Sequence, residues 1–400
     1  MNAAALSAHD RPIAGRTILQ IAPRLDSGGV ERTTLEIAEA LAGAGARALV
    51  AAEGGRLVGE LQALGGEFLS FPAAAKNPLA MAANVGKLAA LILRERVDIV
   101  HARSRAPAWV AYAATRQTKT PFITTWHSAY SEGAPFKRRY NSIMAKGDIV
   151  IANSRFTAGL IAERHPEAAS RIATIPRGVD LRAFAPEAVG PQRVRALREA
   201  WGVAPDQRIV LLPARLVRRK GHRVLVEAAG RLKGEGRGDL VYVLAGEGGG
   251  AYGREIDKAA QAAGVGELVK RVGHCTDMPA AYLAAAVVVA PSLEPEAFGR
   301  TAVEAQAMGA AVVVADHGAA RETIAAPPDC SPRERTGWRT PPGDAAALAA
   351  AIGEALDLGA AARDELAAAA RNHVRRNFSI ERMCARTLAL YEAALGLTRP

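Results

Sequence analysis

Short apolar runs alternate with helix-length segments along the whole chain, and that alternation leaves few folds open. Thr17–Ile21, Ala48–Ala52, Ile99–Ala102, Phe122–Thr125 and Ile149–Ala152 read as strands in the first half. Ile209–Ala214, Leu240–Ala245, Val269–Val272, Val287–Ala290 and Ala311–Ala315 do so in the second. Runs apolar on both faces, with helical stretches between them, predict doubly wound parallel sheets, because crossover helices cover both faces of such a sheet. At 400 residues and 50% hydrophobic content there is chain for two cored domains. The break is expected near Leu181–Pro191, a loop carrying Pro186, Gly190 and Pro191. The tail from Ala345 to Leu397 reads as mostly helical, and no internal repeat is visible. Two similar α/β halves facing each other across a cleft are predicted.

The stretch from Pro291 to Asp316, PSLEPEAFGRTAVEAQAMGAAVVVAD, carries the most chemistry. An apolar run from Ala284 to Ala290 precedes it, and a helix is predicted over Thr301–Met308 with Val303 and Ala307 facing inward. Glu296 then sits in the loop after a strand, and Glu304 about a turn into the following helix. Open α/β sheets bind ligands at that end, and helix N-termini favour phosphate. Two carboxylates beside a phosphate site suit hydroxyls better than phosphates, which points to a nucleotide joined to a sugar.

Other strand exits carry polar groups. Gly28-Gly29 follows the first strand and opens a helix at about Glu31; the pair permits close backbone approach to a ligand, or makes a tight βα turn. Arg215 and Lys220, in PARLVRRKGH, can converge on one pyrophosphate, or belong with Arg218 and Arg219 to a solvated basic loop. Gly246-Glu247-Gly248 reads equally as ligand contact or flexible loop, and Val272-Gly273-His274 is placed to meet a base through its backbone. His127, in TTWHSAY, is either structural or faces a reacting centre. Asn153-Ser154-Arg155 and Arg177-Gly178 are further strand-end polar groups.

The net charge of +11 is uneven: residues 1–185 hold 23 Lys and Arg against 15 Asp and Glu. That half either meets an anionic partner or simply has a solvated basic surface. Cys275, Cys330 and Cys384 form no metal or redox spacing, which suits a reducing cytoplasm. The first 15 residues have no cationic segment followed by a long apolar core, so they read as a disordered lead-in and not a signal peptide. No apolar run approaches the roughly 18 residues that span a bilayer.

Taken together these residues closely resemble the retaining GT-B glycosyltransferases of family 4, over nearly the whole chain. The most specific element is Glu296-Ala-Phe-Gly-Arg-Thr-Ala-Val-Glu304, two glutamates with seven residues between them. Gly28-Gly29 with Glu31, Arg215 with Lys220, IPRGVD at Ile175–Asp180 and Ala152–Ser154 fall in the family's order; Val30 departs from a pattern that often has an acidic residue or alanine there. The resemblance implies the GT-B fold of two Rossmann-like doubly wound domains facing a central cleft. Residues 1–185 would bind acceptor and 186–378 the nucleotide-sugar, with the last helix, within 379–400, crossing back to the first domain. It implies that Glu296 holds donor-sugar hydroxyls, aided by backbone amides near Phe298 and Gly299. Glu304 would bind the ribose, with Arg300 in the same motif on the donor side. Arg215 and Lys220 would neutralise the diphosphate, with Gly246, Gly273 and His274 lining the donor site. Gly28 and Gly29 would approach the phosphate or sugar, and His127 would lie beside the transferred sugar.

The expected reaction is transfer of a hexose-type sugar from a UDP- or GDP-sugar to an acceptor, with retention and without metal or other cofactor, since no convincing DxD-like cluster occurs. The acceptor expected from the charge is anionic, a lipopolysaccharide core or lipid-linked glycan. Arg103, Arg105, Lys137, Arg138 and Arg139 are the candidate basic residues on that side. Each basic residue near an anionic surface contributes about 1 kcal/mol, so the enzyme would be cytoplasmic and peripheral on the inner leaflet, with no nucleic-acid partner. A nucleotide-sugar 2-epimerase would need a richer acid/base inventory at the sugar. A nicotinamide oxidoreductase would need a three-glycine fingerprint with an acidic residue about 20 positions on. A non-catalytic sugar-nucleotide-binding module would have no need of all four residues Glu296, Glu304, Arg215 and Lys220.

Overall fold

The computed structural model describes residues 12–26, 28–130 and 133–397, so most of the expected lead-in lies outside the described residues. The chain divides into two compact units, residues 1–177 with 380–400, and residues 178–379. The division falls inside IPRGVD, a few residues before the proline-bearing loop expected from the sequence.

Unit 1 holds a seven-stranded parallel sheet. Its strands are β1 (Thr17–Ile21), β2 (Arg47–Ala52), β3 (Glu67–Ser70), β4 (Ile99–Ala102), β5 (Phe122–Trp126), β6 (Ile149–Ala152) and β7 (Ile172–Thr174), in the order β3-β2-β1-β4-β5-β6-β7. Every residue of β1 is buried, as a central strand with helices on both faces requires. Gln20 is the polar member of β1; its Nε2 donates to Thr34 O at 3.0 Å, which ties the strand to the helix Gly29–Gly43. The helix Ile380–Ala394 packs on that same helix and buries Tyr391 completely. There the Tyr391 hydroxyl pairs with His101 Nδ1 at 2.6 Å, while His101 Nε2 pairs with Thr125 Oγ1 at 2.7 Å. One buried imidazole thus joins β4, β5 and a helix 290 residues away in sequence.

Unit 2 holds a six-stranded parallel sheet ordered β10-β9-β8-β11-β12-β13. The strands are β8 (Arg208–Pro213), β9 (Leu240–Ala245), β10 (Val269–Gly273), β11 (Ala285–Ala290), β12 (Ala311–Ala315) and β13 (Trp338–Thr340). Apolar clusters fill both faces of this sheet, one around Leu225, Tyr242 and Ile352, the other around Trp201, Leu211 and Ala305.

Strand order reverses between β1 and β4 in unit 1 and between β8 and β11 in unit 2. At such a switch point the crossover helices leave for opposite faces and open a crevice beyond the carboxyl ends of the strands. The ten expected strands are present, within one or two residues at each end. β3, β7 and β13 are additional; each closes an edge of its sheet, and none exceeds four residues.

Candidate functional site

In unit 2 the expected donor residues collect beyond the β8/β11 switch point. Arg215 lies exposed in the loop after β8, and Lys220 ends the short 3₁₀ turn Arg218–Lys220. Gly221 follows with φ 74°, and a Cβ there would stand 1.8 Å from the Pro291 carbonyl oxygen. Only glycine lets the loop after β8 seat against the end of β11, and that seating brings Lys220 to Glu296. Lys220 Nζ donates to Glu296 Oε1 at 2.5 Å, and Ser292 Oγ donates to the same oxygen at 2.7 Å. Burial alone would raise the Glu296 carboxyl, but the Lys220 ammonium and these two hydrogen bonds hold it below its ordinary value. Among the described residues Oε2 receives no hydrogen bond, so it remains available as an acceptor for a hydroxyl.

The helix predicted over Thr301–Met308 runs from Arg300 to Ala307, capped by Gly299, with Val303 and Ala307 buried as expected. Glu304, one turn in, is mostly buried and takes two hydrogen bonds. Tyr282 Oη donates to its Oε2 at 2.9 Å and Arg300 Nε to its Oε1 at 3.0 Å. Arg300 is therefore engaged with Glu304 across one helical turn. The Phe298 side chain does not enter the site: it is buried edge-on to Phe378 with centroids 5.5 Å apart, so only its backbone can serve a ligand.

Gly246 has a packing reason of its own. A Cβ there would lie 2.0 Å from Ala214 O, so the exits of β8 and β9 touch through backbone alone. Gly273 ends the edge strand β10, and exposed His274 follows it with Nδ1 3.9 Å from Glu247 Oε1. Among the described residues no group of three or more His, Cys, Asp or Glu side chains is placed to hold a metal ion.

Unit 1 arranges its strand-end residues differently. Gly28 caps the helix that Gly29 begins, the first helix after β1. His127, after β5, lines a narrow cavity with Arg103 after β4, Asn153 after β6 and Arg177 beyond β7. Arg177 Nη2 donates to His127 Nδ1 at 2.8 Å. Burial, with Arg177 and Arg103 close by, holds the imidazole well below its ordinary pKa, so it is neutral.

The basic residues expected on the acceptor side do not form one patch. Arg103 is only 3% exposed, since its guanidinium turns inward to Gln20 Oε1, with Nε at 3.0 Å. Arg105 is half-buried, donating to Asn141 Oδ1 at 2.6 Å and lying over the Tyr130 ring, 4.3 Å from its centroid. Lys137, Arg138 and Arg139 are exposed on the short helix Pro135–Asn141, beside Phe136 at 71% exposure. Local sequence reasoning missed Tyr282 and Ser292. Ser292 is a polar residue two positions past β11 and was open to discovery; Tyr282, on the helix before β11, had no local signal.

Two doubly wound parallel units with these strand-end residues have the fold of the GT-B glycosyltransferases. A glycosyltransferase from Rickettsia africae ESF-5 matches at 35% identity over 95% of this chain and 98% of that one, with a TM-score of 0.85. The chain belongs to glycosyltransferase family 4: residues 27–183 match the family described as Glycosyltransferase Family 4, and residues 194–373 match Glycosyl transferases group 1. Anabaena HepE, solved with UDP and glucose, shares the fold at 22% identity, 94% of this chain, 100% of that chain and a TM-score of 0.81. Among curated proteins, a D-inositol 3-phosphate glycosyltransferase of Salinispora arenicola is 29% identical over 54% of this chain and 53% of its own length. Another, of Geodermatophilus obscurus, is 29% identical over 76% and 70%. The chain thus spans about half the length of the first of these relatives.

Proposed function

We propose that this protein is a retaining hexosyltransferase that moves a sugar from a nucleoside-diphosphate donor to an anionic acceptor. The observation that carries this reading is the Lys220–Glu296 contact at the unit 2 switch point, with Arg215 earlier in the same loop as Lys220 and Glu304 on the helix after Glu296. The leaving group is a nucleoside diphosphate, so the main demand is to stabilise negative charge growing on its β-phosphate. Arg215, Lys220 and the amides opening the helix Arg300–Ala307 would meet that demand, with Lys220 already held in place by Glu296. The diphosphate would compete with Glu296 for the Lys220 ammonium, freeing the carboxylate to accept sugar hydroxyls. Glu304, braced by Tyr282 and Arg300, would accept the ribose hydroxyls. The departing phosphate would receive the acceptor proton on the face from which it leaves, so neither glutamate acts as a nucleophile. With cationic side chains at the diphosphate, the reaction is proposed to need no metal, and activity should persist in EDTA.

That the HepE structures contain UDP with glucose, or UDP-glucose, favours a UDP-hexose donor. The acceptor is proposed to be a lipopolysaccharide-core or lipid-linked glycan met at the inner face of the cytoplasmic membrane. Support for the membrane comes from Phe136, 71% exposed, followed on the same short helix by the exposed Lys137, Arg138 and Arg139. A panel of nucleotide-sugars tested by thermal shift identifies the donor, because a ligand that binds the native state raises the melting temperature. No response to any of them overturns the reading. Sedimentation with phosphatidylglycerol vesicles should fall as salt rises and fall again in Phe136→Ser; retention unaffected by salt overturns the membrane assignment.

A further inference from the structure

The cavity beyond β4, β5 and β6 in unit 1 contains the buried Arg103, and among the described residues no carboxylate hydrogen-bonds to its guanidinium. Arg103 is buried, and its two hydrogen bonds go to one neutral acceptor, Gln20 Oε1. Burial draws its guanidinium below the ordinary range, and Tyr391, Cys384 and Glu36 offset this only in part. Among the described residues lining the cavity none is acidic. A buried cation is ordinarily matched by an anion, because transfer from water otherwise goes uncompensated.

Two more groups await a partner. Asn153 is 1% exposed, and among the described residues neither its Nδ2 nor its Oδ1 has a hydrogen bond. His127 accepts from Arg177 at Nδ1, so the neutral ring must carry its proton on Nε2, and that buried N–H also lacks an acceptor. The hydroxyls nearby are committed elsewhere: Thr33 donates to Gly29 O, Thr387 to Met383 O, and Thr125 pairs with His101. The unsatisfied groups are donors, apart from the one Asn153 carbonyl oxygen. A water can satisfy Asn153 and His127, but it supplies no charge to Arg103.

We propose that this cavity is an oxyanion site, in which a phosphate or carboxylate oxygen accepts hydrogen bonds from Arg103, Asn153 Nδ2 and His127 Nε2–H. The narrow space admits the oxygens of one such group, with the body of the ligand outside. Assigning that group to the acceptor rests on the glycosyl-transfer reading above; the site itself does not.

The test uses the full chain with inorganic phosphate, glucose 6-phosphate and glucose as probes, at ionic strength held constant with chloride. Phosphate should raise the melting temperature of the wild type where chloride does not. Arg103→Gln should weaken phosphate binding about tenfold, the loss of a charged hydrogen-bond donor. Asn153→Asp places a carboxylate in the cavity; it should abolish the response and raise the melting temperature without any ligand. Lys220→Ala should keep the response, which separates this site from the diphosphate site of unit 2. The proposal is overturned if the wild type shows no phosphate-specific shift, or if the shift survives Asn153→Asp and disappears in Lys220→Ala. Tighter binding of glucose 6-phosphate than of phosphate, with none of glucose, assigns the oxyanion to a phosphorylated acceptor; equal binding assigns the site to free phosphate. The panel of nucleotide-sugars measured alongside keeps the two readings apart. No shift with any member of it while phosphate still binds breaks the glycosyl-transfer reading alone, and the reverse result breaks the oxyanion site alone.

Discussion

The two units have the same topology at their switch points and opposite electrostatics beyond them. In unit 2 cations meet anions before any ligand arrives: Lys220 is paired with Glu296, and Arg300 with Glu304. In unit 1 a buried arginine, a neutral histidine and an asparagine whose side chain has no hydrogen bond among the described residues stand together, with no carboxylate among the described residues that line their cavity. A self-paired mouth can hold a ligand carrying both charge and hydroxyls, since each half of an ion pair finds a new partner. A mouth whose buried Arg103 donates to a neutral amide selects for charge alone. The difference is one of side chains, because the backbone scaffold is shared.

The largest test of this contrast is Lys220→Ala, which removes the cation from the paired mouth. Turnover should fall about 10²–10³-fold, the usual loss for one preorganised stabilising group, with the fold intact by circular dichroism. Next is Gly221→Ala. The added Cβ collides with the Pro291 carbonyl and should cost about 1–3 kcal/mol in urea unfolding, with donor affinity reduced as the two loops separate. Tyr282→Phe should raise the donor KM about tenfold and leave kcat nearly unchanged, since it loosens Glu304 without touching the diphosphate; an unchanged KM would detach Tyr282 from the site.

The smallest effect is on pH. Lys220 and Ser292 hold the Glu296 carboxyl below the ordinary 4.5, so the stability it contributes is complete above that value and is lost as pH falls through the lower folded-state value. In Lys220→Ala burial acts with less opposition, and the acid limb of donor binding should move upward in pH. An unmoved limb would mean that the pairing in unit 2 has little influence on the carboxylate.

The buried central strands and the helix carrying both glutamates could be read from the sequence because their signals are local: a continuous apolar run, a strand exit, a 3.6-residue period. The edges were harder. Glu67–Ser70 is half-exposed with charge at its start, and Ile172–Thr174 is only three residues long, so neither offers a buried-strand pattern. Site chemistry divides the same way. Glu296 and Lys220, which the fold brings into contact, stand at strand ends where position alone singles them out, whereas Tyr282 meets Glu304 across 22 residues of chain. Arg103 misled for the same reason: beside Arg105 it looks like part of a basic surface, but Gln20, 83 residues earlier, draws it inside.

The helix Ile380–Ala394 also sets an order of assembly. It supplies Tyr391 to His101 and covers the helix Gly29–Gly43, yet the ribosome makes it only after all of unit 2. Unit 2 is continuous in sequence and can close its core while synthesis proceeds. Unit 1, begun first, must wait with part of its interior uncovered until these residues emerge, so the half that is translated first is the last to be completed.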